Sequence, residues 1–338
     1  MSTAPVPYAG ANSSLAGSPA ASTPSGERVQ VAERSVHVRS WGAAVPGRPS
    51  IWLENGIFGQ LLGWGELPQQ LEQDGWHVCA YDRGNYGWSS GAGPDRSAAA
   101  AAGEFAELLA ALGETEPVLI VAWSGGGLVA RCFAADWPEC VAGLVLLDPV
   151  PPHYEAAVEA AFPQRYPAER AAQVAEIRNI AACAAAGQLR EADIQEYIEP
   201  QTDRRYGTPY RQLLRESAPH WYTYAAELEA IPRSSDQVQQ RPLPIHLPLQ
   251  VLVADQPPLA SIRDPYERAL AEQWRARQTE CDAAATALQV RTVAAGHAIH
   301  RDAPTAVLAA VRDSTRAIRA RPSWCRQTER AARKGAIP

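Results

Sequence analysis

The residues of this chain best suited to chemistry are Ala122-Trp123-Ser124-Gly125-Gly126. They lie between an apolar run, Pro117 to Ala122, and a helical pattern from Gly127 to Ala135. A serine with a small residue two places to either side, between a buried strand and a helix, describes a nucleophile elbow. The turn is sharp enough to strain the serine backbone, and only small neighbours avoid a clash. The hydroxyl then stands at a helix N-terminus, where N–H groups can stabilise a developing negative charge.

Such a serine needs a base, an acid that orients the base, and a second oxyanion donor. The glycine-flanked segment Asn55-Gly56-Ile57-Phe58-Gly59 follows the strand pattern Ser50 to Glu54. Its backbone can turn N–H groups toward the serine, making Ile57 the partner of Gly125; an ordinary strand-to-helix turn is the plainer alternative. The base is expected at His297, in Gly296-His297-Ala298-Ile299-His300-Arg301-Asp302, where a loop after the last strand can reach back over the sheet edge. Asp302, shortly before Pro304, reads as a helix N-cap. In Tyr81-Asp82-Arg83-Gly84, pairing of Asp82 with Arg83 is expected to brace the loops beneath the site.

The elements that must position these residues follow from periodicity. Two alternating runs, Val29 to Arg34 and Val36 to Trp41, predict an antiparallel hairpin at a sheet edge. Nearly continuous apolar runs at Ser50–Glu54, Trp76–Tyr81, Val118–Trp123, Gly143–Leu147, Leu249–Ala254 and Leu288–Val293 predict parallel strands. Helical patterns lie at Leu61–Gln73, Ala98–Leu112, Gly127–Asp136 and Pro304–Ala320. Their alternation implies an α/β fold, a mostly parallel central sheet flanked by helices. Residues 151–245 carry no convincing strand and read as a helical cap over the C-terminal edge of the sheet, between core segments 28–150 and 246–320. Aromatics of the cap, among them Tyr154 and Trp221, either line a pocket or pack the cap's own core.

The chain has 338 residues with a net charge of -6, which argues against a nucleic-acid surface. No apolar run is long enough to suggest a membrane span. The six cysteines lie far apart with no C-x-x-C pair, as expected of reduced thiols in a cytoplasmic protein. Residues 1–27, rich in Ala, Ser, Pro and Gly, read as a disordered leader, and 321–338 as a flexible tail.

Together the Asn55-Gly56 loop, Tyr81 to Ser89, Ala122 to Gly126, Leu146-Leu147-Asp148-Pro149 and Gly296-His297 resemble the α/β-hydrolase superfamily, in its serine-nucleophile, capped branch. Trp123 stands where that branch often has histidine, Ala122 replaces the first glycine, and Asn55 replaces a frequent histidine. The resemblance implies the order Ser, acid, His, which leaves Asp148 and Asp255 as candidate acids. The commoner position, past the later strand, falls on proline in Asp255-Gln256-Pro257-Pro258, so Asp148 is favoured and Asp255 is the alternative. It implies a small-molecule substrate with an ester-like bond (carboxylic ester, thioester, lactone or amide), with Asn55, Phe58, Trp123, Tyr154 and Trp221 near it, and neither metal nor cofactor. A serine argues against the dehalogenases and epoxide hydrolases of the superfamily, which attack with aspartate. Transfer to another acceptor, cofactor-free perhydrolysis, or a non-catalytic sensor on the same fold are the alternatives.

Overall fold

The structure is a computed structural model and describes residues 25–319 apart from 199, 279 and 281–286, with only the backbone of 200–206. The expected leader up to residue 24, the tail from 321, Cys281 and Cys325 lie outside the described residues.

Eight strands form one sheet: β1 (Glu27–Val31), β2 (Arg34–Trp41), β3 (Ile51–Glu54), β4 (Val78–Tyr81), β5 (Val118–Trp123), β6 (Val141–Leu147), β7 (Leu249–Ala254) and β8 (Leu288–Val293). Their order is β1-β2-β4-β3-β5-β6-β7-β8. The pairs β1–β2 and β2–β4 are antiparallel and all the others parallel. The alternating runs thus form the edge hairpin, and the continuous runs form strands covered on both faces: every residue of β3, β4, β6 and β7 is buried. At the other edge, β8 is half-buried to exposed.

The described residues also form the helices α1 (Leu67–Gln73), α2 (Ala98–Ala111), α3 (Gly126–Asp136), α4 (Tyr154–Ala161), α5 (Arg165–Ala185), α6 (Pro200–Glu216), α7 (Ala218–Gln239), α8 (Pro265–Ala276), α9 (Ile299–Asp302) and α10 (Pro304–Arg319). The single helix expected over Leu61–Gln73 is interrupted: a 3₁₀ turn, Leu61–Trp64, ends at Gly65 with φ +59°, and α1 begins anew. One core layer packs Phe105 of α2 and Phe133 of α3 against Trp52, and the opposite layer packs Leu67 of α1 and Val311 of α10. Complete burial of a Phe or Leu side chain contributes about 1.5–3 kcal/mol, so these layers dominate the stability of the sheet.

The segment between β6 and β7 carries α4 to α7. Pro232 inside α7 has no N–H for the carbonyl of Leu228, and Arg170 of α5 donates to that carbonyl at 3.0 Å instead. The same helix holds the core below it. Ser97 at the N-cap of α2 makes no side-chain cap; Ser234 Oγ and Gln237 Oε1 of α7 accept from the N–H groups of Ala98 and Ala99 at 2.9 and 3.0 Å. Residues more than a hundred positions apart therefore complete one helix terminus.

Candidate active site

β3 and β5 are neighbours, yet the chain leaves β3 toward β4 on one side and β5 toward β6 on the other. Connections diverge here, and the crevice at the C-terminal strand ends is where such sheets bind ligands. At this point β5 ends at Trp123 and the chain turns through Ser124, whose φ is +53°. That conformation costs a non-glycine residue about 1–3 kcal/mol and persists only when its surroundings fix it. They do so through Ser124 N–H, which donates to Leu147 O at 3.0 Å, and Ser124 O, which accepts from Val150 N–H at 3.0 Å. The glycines beside it are required by space. A Cβ on Gly125 would meet Ile57 Cγ1 at 2.6 Å, and one on Gly126 would meet Asn55 O at 2.4 Å.

The hydroxyl of Ser124 lies 2.9 Å from His297 Nε2, and His297 Nδ1 lies 2.7 Å from Asp148 Oδ2. A carboxylate on Nδ1 favours the tautomer protonated there and leaves Nε2 free to accept. Asp148 follows β6 with φ +41°, a second non-glycine residue in the left-handed region. Its buried carboxylate also accepts from Trp274 Nε1 at 3.1 Å, Gln278 Nε2 at 3.2 Å and Ala254 N–H at 3.1 Å. His297 is by contrast open: its side chain is 46% exposed against 5% for Asp148. Asp255, the alternative acid, is placed apart from this chain of bonds. Its carboxylate accepts from Gln256 Nε2 at 3.0 Å, and its N–H donates to Val293 O at 3.1 Å.

Ile57 approaches the elbow closely, its N lying 3.3 Å from where a Cβ on Gly125 would stand. The backbone of Ile57 is thus packed against the elbow at Gly125.

A profile of the alpha/beta hydrolase fold matches residues 49–304, more than half of the chain. The chain belongs to the alpha/beta hydrolase family. Hydrolytic activity goes with that membership. No curated protein sequence matches the hydrolase significantly. Among solved structures, a "putative epoxide hydrolase" from Pseudomonas aeruginosa is similar at 21% identity and a TM-score of 0.59, covering 87% of this chain and 97% of that one. A thermophilic esterase from Thermogutta terrifontis is similar at 20% identity and a TM-score of 0.55, covering 87% of this chain and 99% of that one. At such identities the likeness is one of fold.

The remaining sequence candidates of the hydrolase are distributed as follows. Trp123, half-buried, donates its indole N–H to His297 O at 2.8 Å and so holds the histidine loop. Its ring packs at 4.8 Å against His300, which donates Nε2–H to Gly63 O at 3.1 Å. Burial pushes His300 down to about 3, so this second histidine stays neutral within the fold. Asn55 is buried and its amide donates to Tyr81 O at 3.1 Å, which directs the side chain into the loop scaffold. Phe58, with φ +65°, lies among Tyr197, His220, Trp221 and Tyr224, its ring centroid 4.8–5.8 Å from theirs. Trp221 is fully buried behind it and donates to Leu214 O at 2.6 Å. Tyr154 packs edge-on against Trp274 at 5.1 Å. A cavity of about 460 Å³ opens between α4, α5 and α7; Ser124, Asp148 and His297 are not among its lining residues.

Two sequence expectations are corrected. Asp302 lies within α9 and accepts from Gly296 N–H at 2.9 Å, so it fixes the turn before His297 and does not cap α10. Asp82 and Arg83 do not pair with each other, because successive residues of an extended chain point to opposite sides. Asp82 turns to His37 Nδ1 at 2.9 Å and to the N–H groups of Leu61 and Trp88 at 2.7 and 3.1 Å. Arg83 turns to Glu54 and Glu227, both buried. Burial works against the charge of Arg83, but Glu227 and Glu54 beside it hold the guanidinium well above its ordinary range. Burial raises Glu54, opposed by Arg83 and by a hydrogen bond from Tyr81. Sequence reasoning missed Glu54, Glu227, Trp274 and Gln278. Only Glu54 had a signal: a carboxylate ending an otherwise apolar strand.

Proposed function

We propose that this hydrolase is a serine hydrolase cleaving an ester-like bond of a small molecule, with Ser124 as nucleophile, His297 as base and Asp148 as the orienting acid. The observation that carries this reading is a serine hydroxyl 2.9 Å from an imidazole whose far nitrogen is 2.7 Å from a buried carboxylate. As Ser124 Oγ bonds to the substrate carbonyl carbon, its proton passes to His297 Nε2. Charge gathers on the carbonyl oxygen, where the N–H groups of Gly125 and Ile57 receive it. The alkoxy–carbon bond then breaks and the leaving oxygen takes the proton from Nε2. Water, deprotonated by the same nitrogen, releases the acid and restores the serine. Asp148 holds the tautomer and stabilises the imidazolium throughout.

Segment 151–245 acts as the cap in this reading and core segments 28–150 and 246–320 as the catalytic body. Likeness to a named esterase fits it. Likeness to an epoxide hydrolase is compatible as a likeness of fold, since the elbow here carries serine. The described free thiols, Cys79, Cys132, Cys140 and Cys183, suit a reducing cytoplasm. No described helix is long and apolar enough to cross a membrane.

A fluorophosphonate probe tests the nucleophile. Folded protein should be labelled at Ser124 and should hydrolyse p-nitrophenyl esters, with the chain length of the best ester reporting the acyl pocket. Absence of labelling at Ser124 would sink the reading. Labelling without turnover of any ester would move it to a sensor or to an enzyme for another acyl acceptor.

A further inference from the structure

We propose that Arg83 is the positioning residue of the oxyanion loop, and that Glu227 ties that loop to α7, so that this cap helix governs transition-state stabilisation. This inference rests on the ester-hydrolase reading above. Its physical basis is the complete use of one guanidinium. Arg83 Nη1 donates to Glu54 Oε1 at 2.7 Å and to Asn55 O at 2.7 Å. Its Nη2 donates to Gly56 O at 2.8 Å and to Glu227 Oε2 at 2.9 Å, and its Nε to Glu227 Oε1 at 3.1 Å. An arginine has five N–H donors, and all are engaged.

An arginine needed only as a counter-charge would be satisfied by its carboxylates. Here two donors go to consecutive carbonyls, those of the residues just before Ile57. The Gly56–Ile57 peptide is trans, the sole cis bond among the described residues being Gln256–Pro257. In a trans peptide C=O and N–H point in opposite directions. Holding Gly56 O against Arg83 therefore turns Ile57 N–H away from it, to the side where Gly125 lies. The aim of this donor is set from behind, by the buried guanidinium together with Gly59 N–H, which donates to the same Gly56 O at 3.0 Å.

Glu227 extends the connection. It lies in α7 and binds Arg83 in a fork, with Tyr86 OH donating to the same Oε2 at 2.9 Å. Asn85 Nδ2 adds a bond to Thr223 Oγ1 on that helix at 3.1 Å. A displacement of α7 thus pulls on the guanidinium and, through it, on the carbonyl of Gly56. Substrates that seat the cap helices well would be rewarded in kcat, which is how remote binding energy reaches a reacting centre.

The test compares wild type, Arg83→Lys and Glu227→Gln with a p-nitrophenyl ester, alongside a boronic acid. In the boronate adduct Ser124 Oγ bonds to boron, His297 takes the proton, and a boron-bound oxygen occupies the oxyanion site. Lysine keeps the charge between Glu54 and Glu227, but its single ammonium cannot span both carbonyls and both carboxylates. The expected result for folded Arg83→Lys is kcat lower by about 100-fold, KM within about twofold, and boronate affinity reduced in step with kcat. Glu227→Gln should show a smaller loss of the same kind. If Arg83→Lys does not fold, Glu227→Gln decides by the same split. Wild-type kcat in a folded variant, or a loss confined to KM, overturns the proposal while a labelled, active wild type keeps the hydrolase reading. A wild type that neither labels nor turns over ester removes both.

Discussion

Trp274 Nε1 and His297 Nδ1 meet at the same oxygen of Asp148, at 3.1 and 2.7 Å. Their rings stand nearly perpendicular, with centroids 5.6 Å apart. The indole therefore holds the oxygen that the imidazole meets, and it walls one side of His297. Trp274→Phe keeps the wall and deletes the donor. A hydrogen bond to a charged group is worth about 1.5–3 kcal/mol, so turnover of a p-nitrophenyl ester should fall about tenfold or more with KM little changed. An unchanged kcat would show that Gln278 and Ala254 suffice to hold the carboxylate.

The two candidate acids are separable by substitution. Asp148→Asn keeps the shape but presents the wrong hydrogen-bonding partner to Nδ1, and kcat should fall by about 10³–10⁴-fold. Asp255→Asn should leave kcat within about twofold, since its carboxylate contacts Gln256 beside it. Steady-state kinetics of both variants reads this directly, and the reverse ranking would refute the assignment.

Gly126→Ala probes the packing of the elbow. The added Cβ would meet Asn55 O at 2.4 Å and Glu54 O at 2.7 Å, both backbone atoms that cannot swing aside. Overpacking of this kind costs about 1–3 kcal/mol, so the urea midpoint should fall. Fluorophosphonate labelling should slow as well, because the oxyanion loop is the part displaced. A variant with the wild-type midpoint and labelling rate would mean that the elbow and loop separate freely.

His220 and His300 make the fold sensitive to acid. Burial pushes each down to about 3, whereas an unfolded histidine takes its proton near pH 6.5. Between those values the unfolded chain binds more protons than the folded one. The stability that comes from burying the neutral rings is complete above pH 6.5 and is lost as pH falls toward 3, by about 1.4 kcal/mol per pH unit for each ring. His220 lies edge-on to Phe58 and Tyr86 at 4.8 and 4.9 Å, and neither of its ring nitrogens has a hydrogen-bond partner among the described residues. His220→Phe should therefore lose less stability than wild type between pH 7 and pH 5 in urea titrations. Equal losses would contradict this account.

The strands and the elbow were legible because their signals are local; the order of the strands in the sheet was not. Continuous apolar runs such as Val118 to Ala122 mark strands covered on both faces, and Ser124 among small residues marks a turn that only such residues permit. The His297 loop was legible from its place after the last strand. The supports of these groups were not. Arg83 and Glu227 are separated by 144 residues, and nothing near either announces the other. Trp274 sits on α8, a helix absent from the sequence expectations, whose N-cap Asp264 accepts from the N–H groups of Tyr266 and Glu267. Nothing local to that segment hints that its indole reaches Asp148. The pairing of neighbours Asp82 and Arg83 failed for the complementary reason: closeness along an extended chain sends side chains apart.

The openness of His297 bears on the fate of anything attached to Ser124. An enzyme that hands an acyl group to a chosen alcohol or amine must keep its base dry, or solvent intercepts the intermediate first. Here the imidazole is nearly half exposed while the carboxylate behind it is sealed. An intermediate on Ser124 would thus stand within reach of bulk water from the moment it forms, and its partition would favour release over transfer. On the proposed serine-hydrolase reading, the exposure of His297 thus favours water as the acceptor.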